Sequence, residues 1–314
     1  MKRKVAQIGP STLMVSLPTK WVKENGIKKG DELEVTLDKT NISYSLNEKK
    51  EVQKEIVLDV SKFNKYLLSR NLEMLYIQGY SKIALIYNNY KICDNKNNEE
   101  LGIKGLIKDL NNRFIGMEII SQTNNSTHLK CFLFNEEKKL KIIEKRIFYL
   151  LKETIDEFLL SLDGGHKRFH EDVYNHHDNI IKFITYYLRM LESSNKSVEE
   201  KNQLYSMYLI IDKMVDKFRH INEMVYEHNC TTKVKNSLKE IFIFMEELFI
   251  SLHKGKLNSE LIDKRYNLIK KIKETEYSLE ELKVINEARF FLDVINDFSR
   301  TIIVNNSFMI KDKY

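Results

Sequence analysis

Two pairs of carboxylates at four-residue spacing, Asp212 with Asp216 and Asp293 with Asp297, are the side chains of this 314-residue chain whose type and spacing could do chemistry. Both pairs lie in windows of helical period, and the two windows are 81 residues apart. Residues four apart stack one above the other on a helix, so each pair presents two carboxylates on one face, and His220 continues the first line. Carboxylate and imidazole ligands suit iron, zinc, manganese or magnesium, and spacing does not choose among them. The plain alternative is a solvated face with ordinary ion pairs. At 100° per residue the stripe Met207, Met214, Phe218, Ile221 and Val225 points nearly opposite to Asp212, Asp216 and Glu223, and Phe291, Ile295 and Phe298 point nearly opposite to Asp293, Asp297 and Arg300.

A second chemistry is written in charge. Residues 1–30 carry Lys2, Arg3, Lys4, Lys20, Lys23, Lys28 and Lys29 against Glu24 alone, which is the whole +6 excess of the protein and leaves 44 basic and 44 acidic side chains in the rest. Attraction to a polyanion is therefore expected at the N-terminus.

Other classes are excluded or unsupported. With 42% apolar and 31% charged residues the chain is neither collagen-like nor largely disordered. Val5–Leu17 is broken by Gln7, Gly9, Pro10, Ser11 and Thr12, so no signal-peptide core is expected. The most apolar later window, Ile241–Leu252, contains Glu246 and Glu247 and falls short of the roughly 20 residues that span a bilayer. No membrane insertion is expected. Cys93, Cys131 and Cys230 are odd in number and outside any CxxC spacing, which points to a reducing cytoplasm rather than a disulfide or zinc framework. No nucleophile elbow, HExxH, phosphate loop or dinucleotide fingerprint occurs in its required context, so no catalytic residue is assigned and the protein is expected not to be an enzyme.

The elements that must position these groups fall into three regions. Both prolines, Pro10 and Pro18, lie near the start, and Gly255 is the one glycine after Gly165. Residues 1–50 read as strands Lys4–Ile8 and Leu13–Leu17, a short helix opened by Pro18-Thr19 and stopped by Gly26, and strands Leu33–Leu37 and Ile42–Leu46. So small a unit is expected to dimerise to bury its apolar surface. Residues 55–135 read as a small α/β domain with strands Ile56–Val60, Ile83–Tyr87, Met117–Ser121 and Leu129–Phe134. Its helices are placed near Phe63–Met74 and Glu99–Leu110, and an exposed loop around Asn88, Asn89, Asn95, Asn97 and Asn98. From Lys138 the period is helical, predicting one helix from Leu140 to Leu162 and others over His166–Glu192, Ser197–His228, Lys233–Lys254, Ser259–Thr275 and Ser278–Val304. The repeated Asp windows divide these into two sets of three, 138–229 and 231–308.

Two resemblances follow from these residues. Lys4-Val5-Ala6-Gln7-Ile8-Gly9, Ser11–Pro18 with its Leu17-Pro18, and Gly26-Ile27-Lys28-Lys29-Gly30-Asp31 resemble the AbrB/SpoVT/MazE-type swapped-hairpin domain. The Asp windows resemble the Glu-x-x-x-Asp motifs of the PhoU family, with Asp at the first position of both. The order of parts, including Gly79-Tyr80 and Gly116–Ile120, resembles archaeal PhoU-like phosphate uptake regulators. The resemblance implies a mainly helical multidomain fold, with a swapped-hairpin barrel half, a central α/β domain and a pair of three-helix bundles. It implies a homodimer that binds DNA through Lys2, Arg3, Lys4, Lys20 and Lys23, and a non-enzymatic regulator of phosphate uptake or phosphate signalling. It further implies a divalent metal or iron on Asp212, Asp216, Asp293, Asp297 and His220. In the alternative the first domain only dimerises, and the chain restrains a phosphate transporter's ATPase subunit or a signalling partner. Where PhoU relatives carry a further Glu-x-x-x-Asp pair, this chain has His177 and Ile181 beside His176 and Asp178.

Overall fold

A computed structural model describes residues 2–37, 42–46, 54–133, 139–164, 166–228, 230–253 and 259–311. The expected boundary residues 50, 135, 138 and 229, and the expected element ends Phe134, Gly165 and Lys254, lie outside them. Backbone contacts separate two units, residues 1–53 and 54–314. The chain is mainly helical, with nine helices among the described residues.

The first unit holds β1 (Ala6–Gln7), β2 (Leu13–Met14), α1 (Thr19–Glu24), β3 (Leu33–Leu37) and β4 (Ile42–Leu46), with β1 antiparallel to β2 and β3 to β4. Pro18 stands at the N-cap of α1 with φ −63°, and Gly26, at φ 64°, ends the helix in the left-handed region that Gly tolerates. None of its residues with a described environment is buried. Val5, Leu13, Val15, Leu37 and Ile42 are each at least half exposed. A sheet that covers no apolar face is not independently stable.

The second unit begins with a four-stranded sheet in the order β5 (Lys54–Asp59), β6 (Tyr80–Ile86), β10 (Ser126–Cys131), β9 (Met117–Gln122). β5 and β6 are parallel, joined through α2 (Lys65–Ile77), and the other pairings are antiparallel. Asn64 caps α2 by accepting from the Leu67 amide at 2.9 Å. Alternation sends Ile83, Leu85, Thr127 and Leu129 inward while Val57, Ile86 and Ile120 stay exposed. At Gly116, φ is 74° and a Cβ would lie 2.2 Å from Leu133 Cγ, so only glycine fits the turn into β9.

Two expectations for this region are corrected. The asparagine-rich stretch is not an exposed loop throughout: Lys91–Asp94 and Glu99–Gly102 form an antiparallel hairpin, β7 and β8. Cys93 therefore sits on a strand, and Asn98 takes φ 53° in the turn. The helix expected near Glu99 starts later, as α3 (Ile103–Asn111), because Glu99–Gly102 pair with β7.

The rest is α4 (Leu140–Ser161), α5 (His166–Ser193), α6 (Val198–Glu227), α7 (Thr232–His253), α8 (Ser259–Glu274) and α9 (Leu279–Lys311). Leu140, Ile143, Ile147, Leu150, Leu151, Ile155, Phe158 and Leu162 form the buried stripe of α4. Phe158 of α4 meets Phe242 of α7 at 4.8 Å and Phe218 of α6 at 5.1 Å between ring centres, and Phe242 reaches Phe291 of α9 at 5.1 Å. Four helices thus share one aromatic centre. Equivalent helices of the two sets contact one another, α4 with α7 and α6 with α9. Start signals repeat as well. Ser197 and Glu200 cap α6 reciprocally, and Ser278 with Glu281 does the same for α9, again 81 residues on.

Helix α5 is tied to the sheet region by Arg189. Its guanidinium, 3% exposed, donates to the carbonyls of Tyr76 at 2.5 Å and Tyr80 at 3.2 Å and stacks on the Tyr76 ring at 4.8 Å. The Tyr76 carbonyl, in the last turn of α2, thereby gains a second donor beside the Gly79 amide at 3.1 Å. Arg189→Ala is expected to destabilise residues 54–314 by roughly 2–4 kcal/mol, since it removes two charge-assisted hydrogen bonds and a ring contact from a buried site. Denaturant unfolding followed by helical circular dichroism measures it, and a loss below half a kcal/mol would contradict the role.

Candidate functional site

In the first unit Lys2, Arg3 and Lys4 precede β1 and are exposed, as are Lys20 and Lys23 on α1. Lys20 has only Glu24 at 3.8 Å, on a side chain 87% exposed, so the ion pair does little to neutralise it. Lys23 lies in the last turn of α1. Trp21, beside them, is half-buried. Lys28 turns its amide onto Asp31 Oδ2 at 2.7 Å, which fixes the Gly30 turn while its ammonium stays in solvent. The arrangement offers cations to a polyanion.

In the second unit the two Asp pairs have different surroundings. Asp293 and Asp297 are exposed, with Arg265 of α8 3.4 Å from Asp293 and Arg300 3.8 Å from Asp297. His220 does not join the Asp line: it is exposed, with its Nδ1 3.0 Å from Glu223 Oε2. Asp212 and Asp216 face a cavity of about 280 Å³ walled by α2, α3 and the β7–β8 turn on one side and by α5 and α6 on the other. The helical-wheel expectation that Asp212 is a solvated side chain is corrected here. It does point away from the helix core, and α2 closes over it.

His177 anchors this wall. Its Nε2 lies 2.9 Å from Asp216 Oδ1 and its Nδ1 3.0 Å from Asp178 Oδ1, while Arg113 Nη2 approaches Asp178 at 3.1 Å. Burial works to lower the His177 pKa, and the two carboxylates outweigh it and raise it. Hydrogen bonding to His177 holds Asp216 below the usual carboxylate range. Asp212 goes the other way: burial first, then the charges of Asp216 and Glu73, lift it to about 6 against the pull of Arg70 and His177. His176, next in sequence, turns to Glu157 of α4 at 3.1 Å. Neighbouring residues on a helix diverge, as their separate partners show.

Of the five proposed metal ligands, the structure brings Asp212 and Asp216 to one cavity and sets Asp293, Asp297 and His220 against other partners. Among the described residues no group of three or more His, Cys, Asp or Glu side chains converges as a cation site. The residues that sequence reasoning did not single out are Lys65, Arg70, Glu73, Asp94 and Arg113. Lys65 pairs with Asp94 at 2.7 Å and Arg70 with Glu73 at 2.8 Å. The spacing of Arg70 and Glu73 on a predicted helix was visible, but not that α2 packs against α5.

A buried carboxylate whose folded pKa exceeds its unfolded one, near 3.8, costs nothing below about pH 4; the cost grows as pH rises and is complete above about 6. Asp212→Asn removes it. With a chelator present, the variant is expected to match the parent near pH 4 and to gain up to about 3 kcal/mol at pH 8. Melting temperatures at the two pH values decide; an equal gain at both, or none at pH 8, contradicts the enclosure of Asp212.

Comparison with known proteins bears on the first unit. Residues 7–42 match the family described as antidote-toxin recognition MazE, bacterial antitoxin. No curated protein and no solved structure matches the chain. Among the described residues no helix is long and apolar enough to cross a membrane. The N-terminal segment is thus similar to a MazE/AbrB-type domain, which suggests a DNA-binding or antitoxin-type regulator.

Proposed function

We propose that this chain is a homodimeric, non-enzymatic DNA-binding regulator. The observation that carries the reading is the overlap of the MazE-type match at residues 7–42 with the cationic stretch at residues 1–30, whose seven basic side chains face Glu24 alone. Dimerisation is supported by the first unit's exposed apolar side chains, which a second interleaved copy would cover. Two copies double the patch of Lys2, Arg3, Lys4, Lys20 and Lys23. Lysine contacts mostly position a protein on phosphate, while Arg3 alone of these offers a fork for a guanine edge.

The helical part is read as two PhoU-like three-helix repeats. Support comes from the duplicated capping boxes and Asp pairs at one spacing and from the pairing of α4 with α7 and α6 with α9. On this reading regulation concerns phosphate uptake or its signalling, and the helices receive the signal. A metal on the Asp pairs is not needed for the reading.

Binding to duplex DNA over a salt series is the test. Affinity is expected to fall steeply with salt, by roughly one power of concentration for each phosphate contacted. Arg3→Glu with Lys4→Glu is expected to weaken it at least about tenfold, and Val15→Asp to abolish it by dissociating the dimer. Salt-independent affinity, or affinity retained after charge reversal in a protein still dimeric by light scattering, overturns the reading in favour of a domain that only dimerises.

A further inference from the structure

The cavity between α2, α3 and the β7–β8 turn on one wall and α5 and α6 on the other is occupied by no side chain of the chain, and its charges sort into satisfied and unsatisfied ones. Lys65 is taken by Asp94, Arg70 by Glu73, Arg113 by Asp178, and Asp216 by His177. Among the described residues two charged groups of the lining make no hydrogen bond through their charged ends and no ion pair: the Asp212 carboxylate on α6 and the Lys96 ammonium on the β7–β8 turn. They are of opposite sign and stand on opposite walls. The buried part of the lining is mostly apolar, from Leu110, Phe114 and Ile181, beside Thr185, whose hydroxyl donates to the Ile181 carbonyl at 2.8 Å.

We propose that this cavity binds a free amino acid with an apolar side chain, its ammonium on Asp212 and its carboxylate on Lys96. Size agrees: about 280 Å³ is at the small end of ligand cavities and suits a single metabolite of a dozen or so heavy atoms, not a nucleotide or a peptide. Sign agrees as well. A simple anion finds Lys65, Arg70 and Arg113 already paired and Asp212 repelling it from Lys96, and a simple amine leaves Lys96 idle. A zwitterion completes both, and its side chain covers Phe114 and Ile181. Because the walls belong to separate elements, α2 and the hairpin against α5 and α6, occupancy ties the sheet region to the helices. The site does not rest on the N-terminal DNA reading, and each is measured in its own assay.

Calorimetric titration of the full chain with L-phenylalanine and with L-leucine tests this, beside 3-phenylpropionate, phenethylamine, inorganic phosphate and manganese chloride. At least one amino acid is expected to bind, and its analogues lacking either charge to bind at least about tenfold more weakly, the worth of one charge-assisted hydrogen bond. Asp212→Asn is expected to weaken the amino acid about as much, and Lys96→Glu several-fold. Ser69→Phe, which fills the cavity without altering its charge, is expected to abolish binding while the helical circular dichroism is kept. The proposal is overturned if neither amino acid binds at ten millimolar. It also fails if Asp212→Asn or Ser69→Phe leaves binding unchanged in folded protein, if 3-phenylpropionate binds equally well, or if only manganese or phosphate produces a signal.

Discussion

One buried guanidinium decides what kind of object residues 54–314 form. The sheet with α2 and α3 meets the six long helices through apolar contact, the Arg113–Asp178 ion pair and Arg189, the one of these cations that is buried. With it, the last turn of α2 is held at a fixed height against α5 by two carbonyl bonds and a ring face. Hydrophobic contact supplies most of the attraction and is indifferent to register, whereas a buried cation with two named acceptors is not. The height at which α2 meets α5 in turn sets where Arg70 and Glu73 stand relative to Asp212, and so produces the cavity.

The two Asp pairs show how little identity of sequence says about identity of environment. Both sit four apart on the third helix of a set, both turn away from the apolar stripe, and both helices start with the same Ser-x-x-Glu device. Asp212 is covered by α2 and titrates near 6, while Asp293 stands in solvent with an arginine across from it. The difference comes from the sheet region, which packs α2 against α5. Two similar helical windows thus present one enclosed face and one open face, because α2 covers only the first.

How much of this could be read in advance follows from the range of the forces involved. Helix ends were legible because they are local: Pro18, Gly26 and the serines at 197 and 278 act on backbone groups within four residues. The buried stripe of α4 was legible for the same reason, every member lying within one turn of the next. The hairpin Lys91–Gly102 was not, since its asparagines signal a turn but its strands owe their order to pairing and to the Lys65–Asp94 bond, 29 residues distant in sequence. His177 was noticed beside Asp178, but its contact with Asp216 spans two helices. Packing across elements chooses among several faces that the sequence leaves equally open.

The first unit carries a different lesson. On the homodimer proposal the first unit gains its cohesion by meeting a second copy, so its folding would be second order in protein. Its melting point should therefore climb with the logarithm of concentration, while that of the helical part stays fixed. Abundance in the cell then acts as a control variable in its own right. Dilute chains would present a frayed cationic tail, and crowded ones a paired and ordered surface, with no small molecule or modification required to throw the change.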